Sequence, residues 1–448
     1  MLSGLETLLA TLECLRPVFT RPGFDNLLVI FVGWILTTGD HAVTQSLVAT
    51  SVAGRRHHEA FHRFFSRGTW QLDELGRRVF ELVLKLVPDG SPLRAAVDDT
   101  LAPKKGPQVF GIGSHLDAVR STKKRKVFCF GHCWVTLSVL VRVPFSHRVW
   151  ALPVLFRLYR NKKECAAKGQ PYRKKTELAR EMLDVLVGWV GKRRVEVSAD
   201  SAYCNDTVMR GLPDTVVVFG AMRPDAVVTE LPPQQGGAKG GRPRVRGAAL
   251  PKPQALAADE KTPWSQCEAE LYGKRQKVAY KTFLAQWYRA CGVRLLRVVV
   301  VRVNQGAIRL RVFFCTDPTL SVQQILEGYA GRWAIEVCFR EIKQLLGFAQ
   351  SSARKKEAVE RTAPFVGFIY SILVVWLSTS GLHDASFAAP PLRPWYRHKR
   401  GLSFADVLRA AQRILAPLEV LDPARTLEDL RESPLRALGE PERRNRAA

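Results

Sequence analysis

Apolar residues recur at three- and four-residue intervals through residues 1–90. LETLLATLECL, DNLLVIFVGWIL and LDELGRRVFELVLKLV each gather their large side chains on one face, and PDGSP at 88–92 closes the series. That period belongs to amphipathic helices, so a helical unit is predicted there. From Pro92 the period shortens. LRAAVDD (93–99), KVFCFGHCWVTLSVLVRV (126–143), VWALPVLFRLY (149–159), RVEVSAD (194–200) and VVVFG (216–220) predict strands, with helical KTELAREMLDVLVGWV (175–190) among them. Strand, hairpin, strand, helix, strand, helix, strand predicts a mixed α/β sheet with helices packed on it.

The pattern changes at residue 221. PPQQGGAKGGRPRVRGAALPKP (232–253) is rich in Gly, Pro and bases and too poor in apolar residues to order itself. It reads as a flexible phosphate-binding loop, with a plain linker of equal weight. QKVAYKTFLAQWY, VRLLRVVVVRV and AIRLRVFFCTD (276–317) restore strands, with a turn at Asn304-Gln305-Gly306. A helix over 329–347, an apolar helix at 363–377, an amphipathic helix at 403–415 and a charged tail follow. The predicted organisation is a helical unit (1–90), a sheet (91–220), a strand-rich insertion (221–320), a second part of the sheet unit (321–380) and a helical tail (381–448).

Charge then narrows the partner. Sixty-eight Lys and Arg against forty-one Asp and Glu leave a net +27, far above what solubility requires. A nucleic-acid backbone is the commonest polyanion to neutralise such a surplus. GRRHHEAFHRFFSRGTW (54–70) carries Arg55 and Arg56 on a basic, aromatic-rich stretch. It reads as a helix laid against DNA, with a helix of core Phe61, Phe64 and Phe65 and solvated bases as the plainer alternative. Arg242, Arg244 and Arg246 in the flexible loop, and the bases at 354–356, extend the expected DNA surface.

Other classes recede. NLLVIFVGWIL (26–36) and FVGFIYSILVVWL (365–377) are shorter than the roughly 20 residues that span a bilayer, so no membrane association is expected. The acidic start MLSGLETLLATLE lacks the positive charge of a signal peptide. Nine cysteines occur singly, without CxxC, which suits a reducing cytoplasm. Cys129, His132 and Cys133 in CFGHCW are read as core packing rather than a zinc site, and His57, His58 and His62 as surface histidines.

Three acids stand where chemistry could use them. Asp99 in AVDDT and Asp200 in VSADSAY end predicted strands, and Glu336 lies in YAGRWAIEVCFREIKQLLG (329–347). At roughly 100° per residue, Tyr329, Arg332, Glu336 and Lys343 share a polar ridge beside the apolar Ile335, Cys338, Phe339, Ile342, Leu345 and Leu346. A bland reading is a solvated face with one Arg–Glu pair, worth about 0.2–0.5 kcal/mol. Acids at the ends of neighbouring strands converge on one sheet edge, and a helix across the sheet can add a third. Like charges held close need a cation among them, and hard oxygen ligands favour Mg²⁺ or Mn²⁺. Two such ions would serve in-line displacement at phosphorus.

These residues carry a resemblance. The chain is similar to DDE transposases of bacterial insertion sequences, in the subgroup marked Tyr-x2-Arg-x3-Glu-x6-Lys. Tyr329, Arg332, Glu336 and Lys343 match that signature without a gap, and Asp99-Thr100 and Asp200-Ser201-Ala202-Tyr203 stand in the expected order. The resemblance implies a ribonuclease H-like core interrupted by the insertion, and cut-and-paste movement of a mobile element. It implies that Asp99, Asp200 and Glu336 hold two Mg²⁺ or Mn²⁺ ions, and that Tyr329, Arg332 and Lys343 grip double-stranded DNA near the scissile phosphate. Asp98 is the alternative to Asp99, which is preferred because the family pattern sets Thr directly after the acid. Joining two element ends implies a homodimer on DNA. Some members of the subgroup stack a flipped base on a Trp of the insertion; here that strand has Val312, Phe313 and Phe314, with Trp264 and Trp287 elsewhere in the insertion.

Overall fold

The computed structural model describes residues 4–416 except 55, 107, 234–243, 306, 385–394 and 396–400, and only the backbone within 303–309. Helices α1 (Gly4–Glu13), α2 (Arg21–Leu36), α3 (Val43–Ala49), α4 (Glu59–Ser66) and α5 (Leu72–Leu84) come first. Strands β1 (Leu93–Pro103), β2 (Gly113–Leu116), β3 (Phe128–Val143) and β4 (Ser146–Tyr159) follow. Next are α6 (Lys162–Ala167), α7 (Lys175–Val190), β5 (Val195–Ala199), α8 (Asp206–Met209) and β6 (Val216–Met222). Then come α9 (Pro253–Ala258), β7 (Ser265–Leu271), β8 (Lys274–Gln286), α10 (Tyr288–Cys291), β9 (Leu295–Gln305) and β10 (Ala307–Cys315). Helices α11 (Val322–Ala330), α12 (Trp333–Leu345), α13 (Lys356–Thr379) and α14 (Phe404–Leu415) close the described chain.

All ten strands join one mixed sheet, in the order β2-β3-β1-β5-β6-β10-β9-β8-β7, with β4 beside β3. Strands β4, β3 and β1 are antiparallel, whereas β1, β5 and β6 run parallel. The strands after residue 221 do not form a block of their own. β10 pairs antiparallel with β6, Phe314 opposite Gly220, and β9, β8 and β7 extend the same edge. The run RVVVVRV has the apolar continuity of a strand covered on both faces, and Val298, Val299 and Val300 are buried.

Helix α13 runs through the middle of the molecule. It packs on β4, α5, α4, α14 and α1. By length and composition it could cross a membrane, because the helix extends beyond the apolar run at 365–377; here its apolar length is enclosed by the fold. The first helices share this core. The indole of Trp34 on α2 donates to the Leu346 carbonyl at 2.9 Å, and that of Trp376 donates to Thr7 Oγ1 at 3.0 Å. On α4, Phe61, Phe64 and Phe65 are buried and His62 and Arg63 stay exposed.

Helix α12 is pinned by its buried acid Glu341. Arg148 of β4 donates to both Glu341 oxygens, at 2.8 and 2.9 Å, and the Tyr370 hydroxyl of α13 donates at 2.8 Å. The helix ends where Gly347 takes a left-handed φ of 61°, a conformation glycine adopts without strain. Close approach is equally strict at Gly76 of α5, where an added Cβ would lie 2.4 Å from the Val154 carbonyl oxygen of β4. Gly76→Val should therefore lift α5 from the sheet and cost about 1–3 kcal/mol, measured as a lower urea midpoint at unchanged m-value.

Candidate active site

Parallel pairing fixes the first two acids. Val97 of β1 lies opposite Ala199 of β5, so the next step along each strand is Asp98 and Asp200. β1 does not end at residue 99 but continues to Pro103, so Asp98 and Asp99 lie within it and face opposite sides of the sheet. Each acid has its own partners.

On one side Arg332 bridges two carboxylates. Its Nη1 donates to Asp98 Oδ2 at 2.5 Å and its Nη2 to Glu336 Oε1 at 2.8 Å. Burial pushes the Asp98 carboxyl up to about 7, against the pull of Arg332, while Asp200 and Asp99 repel its charged form. Burial likewise works against the Arg332 guanidinium, but Asp98, Tyr329 and Glu336 outweigh it and raise its pKa. The Nε of Arg332 is buried without a partner. The guanidinium also lies 5.8 Å from the Tyr329 ring centroid, and Tyr329 packs on Phe313 at 4.7 Å. Asp200 caps its own turn by accepting from the Ala202 amide at 2.5 Å.

On the other side Asp99 meets α7. Lys175 Nζ donates to Asp99 Oδ2 at 2.7 Å, the Tyr203 hydroxyl to Oδ1 at 2.7 Å, and Cys133 Sγ to Oδ2 at 3.3 Å. Burial and the nearby Asp99 hold the Cys133 thiol and the Tyr203 phenol above their ordinary values, so both remain donors. Burial acts to lower the Lys175 pKa, but Cys133 and Asp99 raise it further. Asp99 thus has a complete set of protein partners.

The four signature residues do not occupy one continuous helix. Tyr329 lies on α11, Arg332 is the N-cap of α12, Glu336 is in its first turn and Lys343 in its last. Amides of Arg332, Ala334 and Ile335 bond to carbonyls three residues back, so the chain tightens at Gly331 and departs from 100° per residue. An acid in the first turn and a base in the last suit the helix dipole. The expected apolar stripe forms, with Ile335, Cys338, Phe339, Ile342 and Leu346 buried and Leu345 half-buried. Burial lowers the Lys343 ammonium pKa, although Cys129, Asp117 and Cys133 favour its charge.

Other expected residues lie apart. Arg56 stacks near Phe61 at 5.3 Å and Arg246 over Tyr288 at 4.5 Å; both are exposed, as is Arg244. Arg55 and Arg242 lie outside the described residues. His132 and Cys133 point to opposite faces of β3, and His132 Nε2 is 2.8 Å from the Phe110 carbonyl. Trp264 is flanked by Arg302 at 4.3 Å and Lys281 at 4.9 Å, and Trp287 packs edge-on against Phe314 at 5.4 Å. Both indoles are therefore engaged within the fold. Two neighbours escaped the sequence. Lys175 opens a helix with no mark of its role, and Trp333, half-exposed beside Arg332, meets Tyr272 of the β7–β8 turn at 5.9 Å.

Among the described residues no three His, Cys, Asp or Glu side chains stand close enough to hold a metal. The donor chemistry nevertheless fits a hard divalent cation, because carboxylate oxygens of Asp98 and Glu336 already share one cationic group.

A sequence model described as DDE superfamily endonuclease matches residues 14–289. The match covers more than half the chain, so the protein belongs to this family, whose endonucleases depend on divalent metal ions. It includes Asp98, Asp99 and Asp200 and stops before Glu336. Among solved structures, the chain is similar to the piggyBac transposase in its synaptic complex with hairpin DNA, at 10% identity and a TM-score of 0.42, over 96% of this chain and 78% of that one. No curated protein matches.

The Asp99 cluster has its own consequence. Lys175→Met should cost about 1.5–3 kcal/mol, the range for a hydrogen bond to a charged group, and Tyr203→Phe about 1 kcal/mol. Equilibrium denaturation of each variant checks both values.

Proposed function

We propose that this DDE endonuclease is a transposase of the bacterial insertion-sequence type, cutting DNA at element ends and joining the freed 3′-hydroxyls to target DNA. The observation that carries the reading is the single guanidinium of Arg332 shared by Asp98 and Glu336, beside Asp200 on the adjacent parallel strand. A ribonuclease H-like core is supported by the order β4-β3-β1-β5-β6, three antiparallel strands followed by two parallel ones. The strands after residue 221 and the helices before residue 90 are the proposed insertion and helical DNA-binding unit on that core.

In this reading Asp98, Asp200 and Glu336 are the metal ligands. Asp98 is preferred to Asp99 because its carboxylate shares Arg332 with Glu336, whereas Lys175, Tyr203 and Cys133 already satisfy Asp99. Two Mg²⁺ or Mn²⁺ ions bound there would activate the attacking oxygen and stabilise the leaving one. The protein's own groups do the remaining work. Arg332 exchanges its carboxylates for phosphate oxygens, and its unpaired Nε adds a further donor to that fork. Tyr329 offers a hydroxyl and Lys343 a point charge to the same strand. Exposed Arg56, Arg244 and Arg246, with Arg55 and Arg242, hold the duplex through its phosphates. Two ends joined in one reaction require two active sites, hence a homodimer on DNA.

With a supercoiled target and Mg²⁺ or Mn²⁺, joined products are expected; cleavage without joining would instead favour a nuclease or resolvase. Asp98→Asn and Glu336→Gln should each lower cleavage by about 100-fold or more, while leaving duplex affinity near native. Asp99→Asn should act mainly on stability. If Asp99→Asn abolishes cleavage in a folded protein and Asp98→Asn does not, the choice of ligand reverses. A native chain that binds element ends yet never cuts them would make it a binding protein only.

A further inference from the structure

The connection between β1 and β3 carries a feature that the proposed chemistry does not use. β2 pairs with the start of β3, Leu116 opposite Phe128 and Ser114 opposite Phe130, and the chain between them forms a compact turn. The turn holds its own shape. The Asp117 amide donates to the Val127 carbonyl at 2.9 Å, Thr122 to Arg125 at 2.8 Å, and Ser121 Oγ accepts from the Val127 amide at 3.0 Å.

Two properties of this hairpin point outward. Arg120, Lys123, Lys124, Arg125 and Lys126 crowd its tip and are all exposed. Among the described residues only Arg120 of these five has an acidic partner, Asp117 at 3.7 Å. One face of the ribbon presents Leu116, Phe128 and Phe130, exposed at 48%, 63% and 49%. Side chains so apolar are rarely left in water in a cluster, and five adjacent bases repel one another without a polyanion. The root of the hairpin adjoins the candidate site, since β3 runs on from Phe130 to Thr136, which lies opposite Asp98 of β1.

We propose that the β2–β3 hairpin is a DNA-binding finger: its basic tip contacts backbone phosphates and its Leu116, Phe128 and Phe130 face lies in the groove of duplex DNA leading to the active site. A two-stranded ribbon fits the major groove, where apolar side chains meet thymine methyl groups and base edges. Charge complementarity selects DNA over a second copy of this basic chain, which the tip would repel. The inference rests on DNA being the substrate.

The test uses the full chain and a fluorescein-labelled 40-base-pair duplex, with affinity followed by anisotropy across a salt series. K123A/K124A/R125A/K126A should weaken binding at least 10-fold near 100 mM salt and reduce the salt slope by about 2–4, roughly 0.9 for each phosphate no longer neutralised. F128S/F130S should weaken binding about 5-fold or more with the slope retained. K192A, an exposed base just before β5 at the end of that strand away from Asp200, should leave the slope within error. Circular dichroism and the thermal midpoint report folding of each variant. Native-like affinity and slope in folded hairpin variants would overturn the finger while leaving the transposase reading intact. So would a DNA-free dimer that F128S/F130S dissociates without loss of duplex affinity, because the face would then belong to a second copy. A native chain with no salt-dependent affinity for the duplex would overturn both.

Discussion

The site depends on one guanidinium between two carboxylates. Asp98 sits inside a sheet, Asp200 follows on the next strand and Glu336 approaches from a helix. Asp98 and Glu336 repel each other and lose water as they approach, and Asp200 adds to the repulsion on Asp98. Arg332 offsets that cost by bonding to Asp98 and Glu336 at once. The arrangement also explains why α12 must start where it does. Arg332 and Glu336 stand four residues apart, so the N-cap and first turn of α12 put both on the face that meets Asp98.

The adjacent acids of β1 divide two tasks by strand geometry alone. Asp99 is held by Lys175, Tyr203 and Cys133 on the α7 side. Those partners come from a helix, a loop after β5 and β3, so the carboxylate ties three elements to the strand. Asp98 faces the other way and has a single cationic partner. In the proposed function the difference matters: the permanently neutralised acid holds the strand still, and the acid with an exchangeable counter-charge does the binding. A strand needs two consecutive acids for this, because successive side chains alternate between faces.

The signature spacing, the mixed α/β character of residues 93–220 and the apolar stripe of α12 are legible in the sequence. The face of each acid in AVDDT is not. β1 is covered on both sides, with Ala95, Ala96 and Val97 all buried, so no polar-apolar alternation marks which residue points where. A single helix over 329–347 fails for a local reason, the three-residue hydrogen bonds at Gly331, which a fixed 100° step cannot anticipate. The strands after residue 221 read as a separate block because a basic Gly/Pro-rich stretch precedes them; their pairing to β6 across that gap is a long-range fact. Lys175 carries no local signal, since a base at the start of a helix is ordinarily unfavourable and only Asp99, distant in the chain, explains it.

Charge links these observations to the scale of the whole chain. A surplus of +27 destabilises the compact state by self-repulsion, yet many of the bases that meet the fold closely are already matched. Arg157 bonds to Asp73 and Glu181, Arg194 to Asp317 and Glu196, and Arg148 to Glu341. These pairs hold helices and strands together and leave nothing for an external anion. The remaining surplus lies on exposed segments such as the β2–β3 turn, where Lys123, Lys124, Arg125 and Lys126 are exposed without acidic partners among the described residues. Internal arginines are consumed by structure, and the excess is concentrated where a polyanion can reach it. A partner that neutralised that surface would relieve the repulsion as it bound, so the same charge that costs the free protein stability favours the complex.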